Sequence, residues 1–244
     1  MNDLAAQHYF NGVSVHQFAE TETFKRFYEC LKNIYNGNLK DGFTLEQKYS
    51  TTADLRPFAH KYDESMLDVL FEANVPTIFK KALGHDMFLL LTQVRQGYYQ
   101  EDSVPYMPWH RDTHFYEGEK QSGKIPPVYK IIYYPKFFEY ENNQECLLFC
   151  LGSHMKIFRN KNVDFEQVKP SNILPVLNSK RDFILFNTSA FHHTIPPKNK
   201  SGQLKIIYSF CHEHQLEEEP DYSDLQELYK KKLHDFSADC ESLY

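Results

Sequence analysis

Residues 107–114 of the chain read Met107-Pro108-Trp109-His110-Arg111-Asp112-Thr113-His114. A proline disfavours helical backbone in the residue before it, so Pro105 and Pro108 predict an extended segment here. Side chains on a strand alternate between its two faces, which predicts that His110 and Asp112 point the same way. One imidazole and one carboxylate then converge on a single point from one short strand.

A histidine and a carboxylate on one face are two of the three ligands in the two-His-one-carboxylate site of non-haem Fe(II) oxygenases. The pattern is short, and with 12 histidines in the chain it also arises by chance as a hydrogen-bonded surface pair. His110 and His114 have a zinc-like spacing as well, but only on a helix, which the nearby prolines oppose. The metal interpretation therefore depends on a third ligand further along the chain.

The composition favours one folded, β-rich domain of 244 residues. The chain has 20 Phe, 17 Tyr and only 9 Gly, which suits a thick β-core. With a net charge of −6, the chain lacks the excess of basic residues that is typical of nucleic-acid-binding proteins. The five cysteines contain no CxxC pair, and no segment resembles a membrane span or a signal peptide. We therefore expect a soluble cytoplasmic protein with neither nucleic acid nor a membrane as a partner.

The periodic patterns divide the domain into three parts. Residues 1–85 read as a helical lead-in, with a polar loop at 49–52 and a helix C-cap at Gly84. Residues 86–212 hold short apolar or β-branched runs between turn signals, which predicts an antiparallel sandwich or barrel. Residues 213–244 read as an acidic linker followed by a C-terminal helix. The predicted strands are 88–94, 128–134, 146–151, 183–186 and 204–210.

Residues 186–197 read Phe186-Asn187-Thr188-Ser189-Ala190-Phe191-His192-His193-Thr194-Ile195-Pro196-Pro197. A strand that ends in histidine before a proline turn can deliver an imidazole to the mouth of a barrel. Lys205 follows at the start of the next predicted strand. A cation there could pair with the distal carboxylate of a dicarboxylate cosubstrate.

Three blocks of the sequence resemble the phytanoyl-CoA dioxygenase-like family of Fe(II)- and 2-oxoglutarate-dependent oxygenases. Residues 108–112 are similar to its Trp-His-x-Asp signature, and residues 146–156 to an apolar strand that runs into a Gly-Ser-His-Lys turn. Residues 182–192 resemble its third block, in which an Asp begins a strand that ends in a metal-binding histidine. The resemblance implies a mainly β fold with flanking helices and a double-stranded β-helix core, the jelly roll of cupin-like proteins.

The resemblance also implies that His110, Asp112 and His192 are the catalytic residues that bind Fe(II). His193 remains an alternative to His192, although the family spacing from Asp182 favours His192. The cosubstrates implied are 2-oxoglutarate and O2.

A hydroxyl two residues after the distal histidine contacts the cosubstrate in some members of the family, and that residue is Thr194 here. The family has Arg where this chain has Lys205, which can bind a carboxylate but lacks the bidentate fork. Arg181 and Lys130 therefore remain alternatives for the cation that binds 2-oxoglutarate.

The resulting hypothesis is a dioxygenase that hydroxylates a small-molecule substrate and releases succinate and CO2. Asp112 favours hydroxylation, because related halogenases lack this carboxylate. One alternative is a non-catalytic metal-binding β-helix protein that has lost cosubstrate binding. Another is a zinc-dependent hydrolase that uses His110, His114 and a later histidine.

Overall fold

The fold is that of a computed structural model, which describes residues 11–49, 51–98, 107–112, 129–137, 146–155, 173–175, 180–195, 202–213 and 222–241. Within these ranges the strands are β1 (Val13–Gln17), β2 (Thr44–Tyr49), β3 (Thr52–Arg56), β4 (Phe88–Gly97), β5 (Met107–His110), β6 (Tyr129–Tyr133), β7 (Cys146–Cys150), β8 (Ile173–Pro175), β9 (Asp182–Asn187), β10 (His192–Ile195) and β11 (Gln203–Cys211). The helices are α1 (Glu22–Tyr35), α2 (Ala59–Tyr62), α3 (Ser65–Glu72), α4 (Val75–Leu83) and α5 (Ser223–Glu241).

The strands form two antiparallel sheets that face each other. The larger sheet has the order β1-β9-β6-β11-β4-β3-β2, and the smaller has the order β5-β10-β7-β8. From β4 onward the chain changes sheet at each step except between β7 and β8. The predicted double-stranded β-helix, a mainly β jelly roll with flanking helices, is confirmed.

The central strands of the larger sheet are covered on both faces. One face packs against the helices, with Ile206 and Tyr208 of β11 beside Phe27 and Met66. The other face packs against the smaller sheet, where Ile207 belongs to a separate apolar cluster. Every residue of β11 is buried, as expected for a strand at the centre of a sheet covered on both sides.

The predicted helix end at Gly84 and the five predicted strands are confirmed. Helix α1 is capped by Thr21, whose hydroxyl accepts a hydrogen bond from the Phe24 amide at 3.1 Å. Helix α4 ends at Gly84, whose φ of 82° lies in the left-handed region that glycine adopts without strain. The five predicted strands correspond to β4, β6, β7, β9 and β11.

The predicted helical lead-in contains strands as well as helices. Residues before position 85 also form β1, which pairs with β9, and the hairpin of β2 and β3, which extends the sheet beyond β4. Tyr49 and Thr52, at the two ends of the predicted polar loop, are paired residues of β2 and β3. Most of β2 is polar and exposed, so it lacks the alternation of apolar residues by which a strand is recognised. The proposed three-part division of one domain stays a prediction.

The strand directions separate the two ends of the jelly roll. The connections 111–128, 151–172 and 188–191 leave from and return to the end at which His110 pairs with His192. Lys205 lies near the start of β11, at the opposite end. None of the described helices is long and apolar enough to cross a membrane.

Candidate metal centre

Three side chains meet between the sheets at one end of the jelly roll. Nε2 of His110 lies 3.7 Å from Oδ1 of Asp112, and Nε2 of His192 lies 3.6 Å from Oδ2 of Asp112. One nitrogen or oxygen of each side chain lies within 4.8 Å of those of the other two. Two imidazoles and one carboxylate at these separations form a donor set that fits a divalent metal of the Fe(II) type.

Neighbouring strands bring the two histidines together. His110 is the last residue of β5 and stands directly opposite His192, the first residue of β10. Asp112 lies beyond the end of β5, so the strand alternation predicted from sequence does not extend to it. Instead, the Asp112 amide donates to the Thr188 carbonyl at 3.0 Å, which anchors this residue to the β9–β10 turn.

The orientation of the His192 ring is fixed by a backbone contact. Nδ1 lies 2.9 Å from the Ala190 carbonyl oxygen, and a carbonyl only accepts, so Nδ1 carries the proton. Nε2 is then the nitrogen with a lone pair, and it faces the cluster. Burial lowers the pKa of His192 to about 4. The ring is therefore neutral at pH 7, which is the form that binds a metal.

Asp112 is held as a carboxylate by its neighbours. Burial raises its pKa, but the Lys130 ammonium and the nearby imidazoles outweigh that effect and lower the pKa to about 2. Nζ of Lys130 donates a hydrogen bond to Oδ2 of Asp112 at 2.9 Å. The side chain that offers a carboxylate oxygen to the cluster is thus ionised at neutral pH.

His193 points away from this cluster. Its ring stacks on Trp109, with centroids 5.7 Å apart and an interplanar angle of 27°. Trp109 forms an apolar cluster with Cys150 and Phe191 on the outer face of the smaller sheet. The structure therefore brings His192, not His193, together with His110 and Asp112.

The zinc alternative needed His110 and His114 on one helix. Residues 107–110 form a strand, and His114 lies outside the described residues. The stretches 99–106 and 113–125, which flank the motif in the sequence, also lie outside them.

The three predicted cations occupy different places. Lys130 contacts Asp112, while Arg181 donates to the Phe18 carbonyl at 3.2 Å, beside the helix-covered core. Lys205 is only 5% exposed, and it projects between the sheets with its ammonium 5.7 Å from the centre of the Tyr134 ring. Among these three, Lys205 is the cation between the sheets at the end opposite the histidines.

The distance along β11 between the metal cluster and Lys205 follows from the register of that strand. Ser209 pairs with Lys130, and Lys205 is four residues away on the same face. Four residues of a strand span about 13 Å. Thr194 is buried on the same face as His192 and lies two residues towards the Lys205 end.

Sequence reasoning missed the role of Arg111, which lies between two of the cluster residues. Its guanidinium donates to the Ser153 carbonyl at 2.8 Å and lies 4.2 Å from the centre of the Phe191 ring. Burial lowers the pKa of Arg111 to about 10. The Ser153 hydroxyl also accepts a hydrogen bond from the Phe191 amide at 2.8 Å. The turn that contains Ser153 therefore links Arg111, just after β5, to Phe191, just before β10. In the sequence, the Gly-Ser-His turn at residues 152–154 was the one pattern that indicated this arrangement.

A second missed feature is an ion pair on the inner face of the larger sheet. Arg95 donates from Nε and Nη2 to the two oxygens of Asp54, at 2.6 and 2.9 Å. Arg95 pairs directly with Lys205 in the sheet. The β2–β3 hairpin thus supplies the anion that neutralises the cation next to Lys205.

No protein-family model and no curated protein matches the sequence. Solved structures do match. HygX from Streptomyces hygroscopicus with nickel, 2-oxoglutarate and hygromycin B has a TM-score of 0.60 at 15% identity, over 87% of this chain and 88% of HygX. The α-ketoglutarate-dependent carbocyclase SnoK from nogalamycin biosynthesis has a TM-score of 0.60 at 11% identity, over 86% of this chain and 83% of SnoK.

EctD from S. alaskensis with 2-oxoglutarate and 5-hydroxyectoine has a TM-score of 0.57 at 14% identity, over 86% of this chain and 78% of EctD. The chain spans about half the length of another match, EvdMO1, covering 49% of it. At these identities the likeness shows the fold. The chain has the jelly-roll fold of the Fe/2-oxoglutarate-dependent oxygenases, and its resemblance to the phytanoyl-CoA dioxygenase-like family stays a prediction.

Proposed function

We propose that the protein is an Fe(II)- and 2-oxoglutarate-dependent dioxygenase that hydroxylates a small-molecule substrate. The observation that carries this proposal is the convergence of His110, Asp112 and His192 between the two sheets. These residues come from separate segments, and the jelly roll is the fold in which such enzymes occur. The donor set is the one that non-haem Fe(II) oxygenases use.

In this proposal the chain holds Fe(II) through Nε2 of His110, a carboxylate oxygen of Asp112 and Nε2 of His192. The Ala190 carbonyl keeps the His192 ring in the right tautomer, and the Thr188 carbonyl holds the Asp112 backbone. Fe(II) held by these three side chains would keep coordination positions open for the cosubstrates. Phe149 and Phe186 pack against the His192 ring and keep water from its protein-facing side.

Lys205 is the proposed partner of the distal carboxylate of 2-oxoglutarate, with Thr194 as a further contact. Lys205 is buried and lies on the inner face, at the end to which an extended dicarboxylate would point from the metal. Arg181 faces the helices and Lys130 is engaged with Asp112, so both are less suited to this role. The single ammonium of Lys205 provides charge without the fork of an arginine.

When bound, Fe(II) with 2-oxoglutarate and O2 supplies the oxidising power, and the cosubstrate is converted to succinate and CO2. The chain contributes binding, orientation and a dry interior. Asp112 supports hydroxylation over halogenation because it occupies the position that a halide would need. HygX was crystallised with hygromycin B and EctD with 5-hydroxyectoine, which supports a small-molecule substrate.

An anaerobic titration tests this function. Addition of 2-oxoglutarate to the Fe(II)-loaded protein should produce a metal-to-cosubstrate charge-transfer absorption band. Admission of O2 should then yield succinate, slowly without substrate and faster with a library compound that is a substrate. Asp112→Ala should show neither band nor succinate. A wild-type protein that forms neither would contradict the proposal.

Lys205 also favours a second candidate, a metal-binding jelly-roll protein without cosubstrate, because the resembling family has Arg at this position. That protein would bind Co(II) or Fe(II) at the same three side chains. However, 2-oxoglutarate would neither alter its spectrum nor be consumed. The titration therefore separates the two candidates.

A further inference from the structure

Lys130 is a cation from the larger sheet that contacts Asp112, a proposed metal ligand just beyond the end of β5. It lies on β6, and the alternation of that strand places Lys130 on the same face as Ile132, which packs between the sheets. Its ladder neighbours are Phe186 and Ser209, which are both uncharged. Nζ of Lys130 lies 2.9 Å from Oδ2 of Asp112.

Both side chains of this ion pair are partly shielded from solvent. Lys130 is 24% exposed and Asp112 is 25% exposed. At this depth charges interact more strongly than on an open surface and are less screened by salt. The Lys130 charge therefore acts on every ion that enters the cluster.

The Lys130 charge has opposite effects on the metal ion and on the dicarboxylate that are proposed to bind here. A divalent cation at His110, Asp112 and His192 is repelled by the ammonium and must also compete with it for the carboxylate. A dicarboxylate that adds to the metal is attracted, because its anionic groups arrive within a few ångströms of Lys130. The same charge thus opposes the first ligand and favours the second.

We propose that Lys130 couples the two binding events. Its fixed positive charge weakens metal binding to the empty triad and strengthens binding of the dicarboxylate cosubstrate to the metal-loaded site. By linkage, the affinity that the bound metal adds to cosubstrate binding equals the affinity that the cosubstrate adds to metal binding, so metal is held most tightly when the cosubstrate is also present. This inference rests on the proposed function and adds a residue to it that is not a metal ligand.

A role limited to holding the Asp112 carboxylate in place predicts the opposite result for the metal. Loss of a residue that only orients a ligand weakens metal binding, typically by 10- to 100-fold. Loss of a nearby positive charge strengthens it. The direction of the change in metal affinity therefore distinguishes coupling from simple positioning.

The test is anaerobic calorimetry with Mn(II), followed by 2-oxoglutarate added to the Mn(II)-saturated protein. Lys130→Met removes the charge but keeps much of the chain length, and Lys130→Arg keeps the charge. We expect Lys130→Met to bind Mn(II) about ten-fold more tightly and 2-oxoglutarate about ten-fold more weakly than wild type. Lys130→Arg should stay within about three-fold of wild type for both.

Lys130→Gln is a second uncharged variant for use if Lys130→Met does not fold, as judged by thermal unfolding. Weaker or unchanged Mn(II) binding in the uncharged variant overturns the coupling, while the proposed function stands if wild type binds both ligands. Unchanged 2-oxoglutarate binding overturns it as well. Failure of wild type to bind Mn(II) overturns the proposed function, and the inference with it.

Discussion

His110 and His192 stand directly opposite each other on two neighbouring strands, with their ring centroids 4.3 Å apart. Side chains alternate along β10, so a shift of its register by one residue would exchange His192 for His193. The register of β10 therefore determines which of the two histidines can be the distal metal ligand. In this structure His192 faces inward and is only 4% exposed.

His192→Ala should lower the affinity for Fe(II) or Co(II) by more than about 100-fold, because one of three protein ligands is lost. His193→Ala is the matched control, since that ring stacks on Trp109 on the outer face. It should keep metal affinity within a few-fold of wild type. Anaerobic metal titration checks both variants, and full binding by His192→Ala with loss in His193→Ala would show that the register is wrong.

Lys205→Ala should weaken 2-oxoglutarate binding to the metal-loaded protein by roughly two orders of magnitude or more, because the distal carboxylate would be buried without its partner. Metal binding should survive, as no proposed ligand is changed. Arg181→Ala is the control, because its guanidinium bonds to the Phe18 carbonyl on the other side of the sheet. A titration of the charge-transfer band measures both. Equal cosubstrate affinity in Lys205→Ala and wild type would place the carboxylate elsewhere.

Gly202→Ala should destabilise the protein by about 3 kcal/mol, through backbone strain and a collision. Gly202 has a φ of +74°, and a Cβ there would lie 2.0 Å from the Gly97 carbonyl oxygen. Gly42 has a similar φ of +80° with nothing within 4 Å of the added atom, so Gly42→Ala should cost only about 1 kcal/mol. Urea unfolding measures the difference, which should vanish if the collision is relieved by loop movement.

Stability should fall as the pH drops from 7 to 4.5, partly through His16. Burial lowers the pKa of His16 to about 4, whereas an unfolded histidine has a pKa near 6.5. Between these values the unfolded chain binds a proton that the folded chain does not, so acid favours unfolding. After allowance for the partial exposure of the ring, the loss from this residue is roughly 1–2 kcal/mol at pH 4.5.

His16→Gln should remove that part of the pH dependence of the unfolding free energy. His234→Gln is the control, because the His234 side chain is 85% exposed. Urea unfolding at both pH values gives the comparison. An identical loss of stability in wild type and His16→Gln would rule out His16 as a source of acid sensitivity.

The core strands and the three cluster residues could be predicted because their signals are local. The apolar run of β11 is buried on both faces, and the histidines lie in short motifs beside prolines. The β2–β3 hairpin could not be recognised in the same way. Its outer strand, β2, is exposed and polar. Asp54, on β3, can be assigned a role only because the structure places it opposite Arg95.

The partner of Lys130 also lay beyond sequence reasoning. Lys130 lies on the same face of β6 as Ile132, which packs between the sheets. Which group it meets depends on the stacking of two sheets and on the backbone of Asp112, which is set by Thr188 and not by its own strand. Such contacts join segments distant in sequence, and no local pattern records them.

The three connections at the histidine end have a consequence for how this protein can change. The strands that carry His110 and His192 are fixed by pairing within the smaller sheet, whereas 111–128 and 151–172 begin and end beside them. Loops between such strands tolerate substitution and insertion far better than the strands themselves. In the proposed enzyme, substrate preference would therefore diversify through residues 113–128 and 151–172, while His110, Asp112 and His192 stay constant. The jelly roll thus places the two histidines on paired strands and the residues that are free to vary between strands.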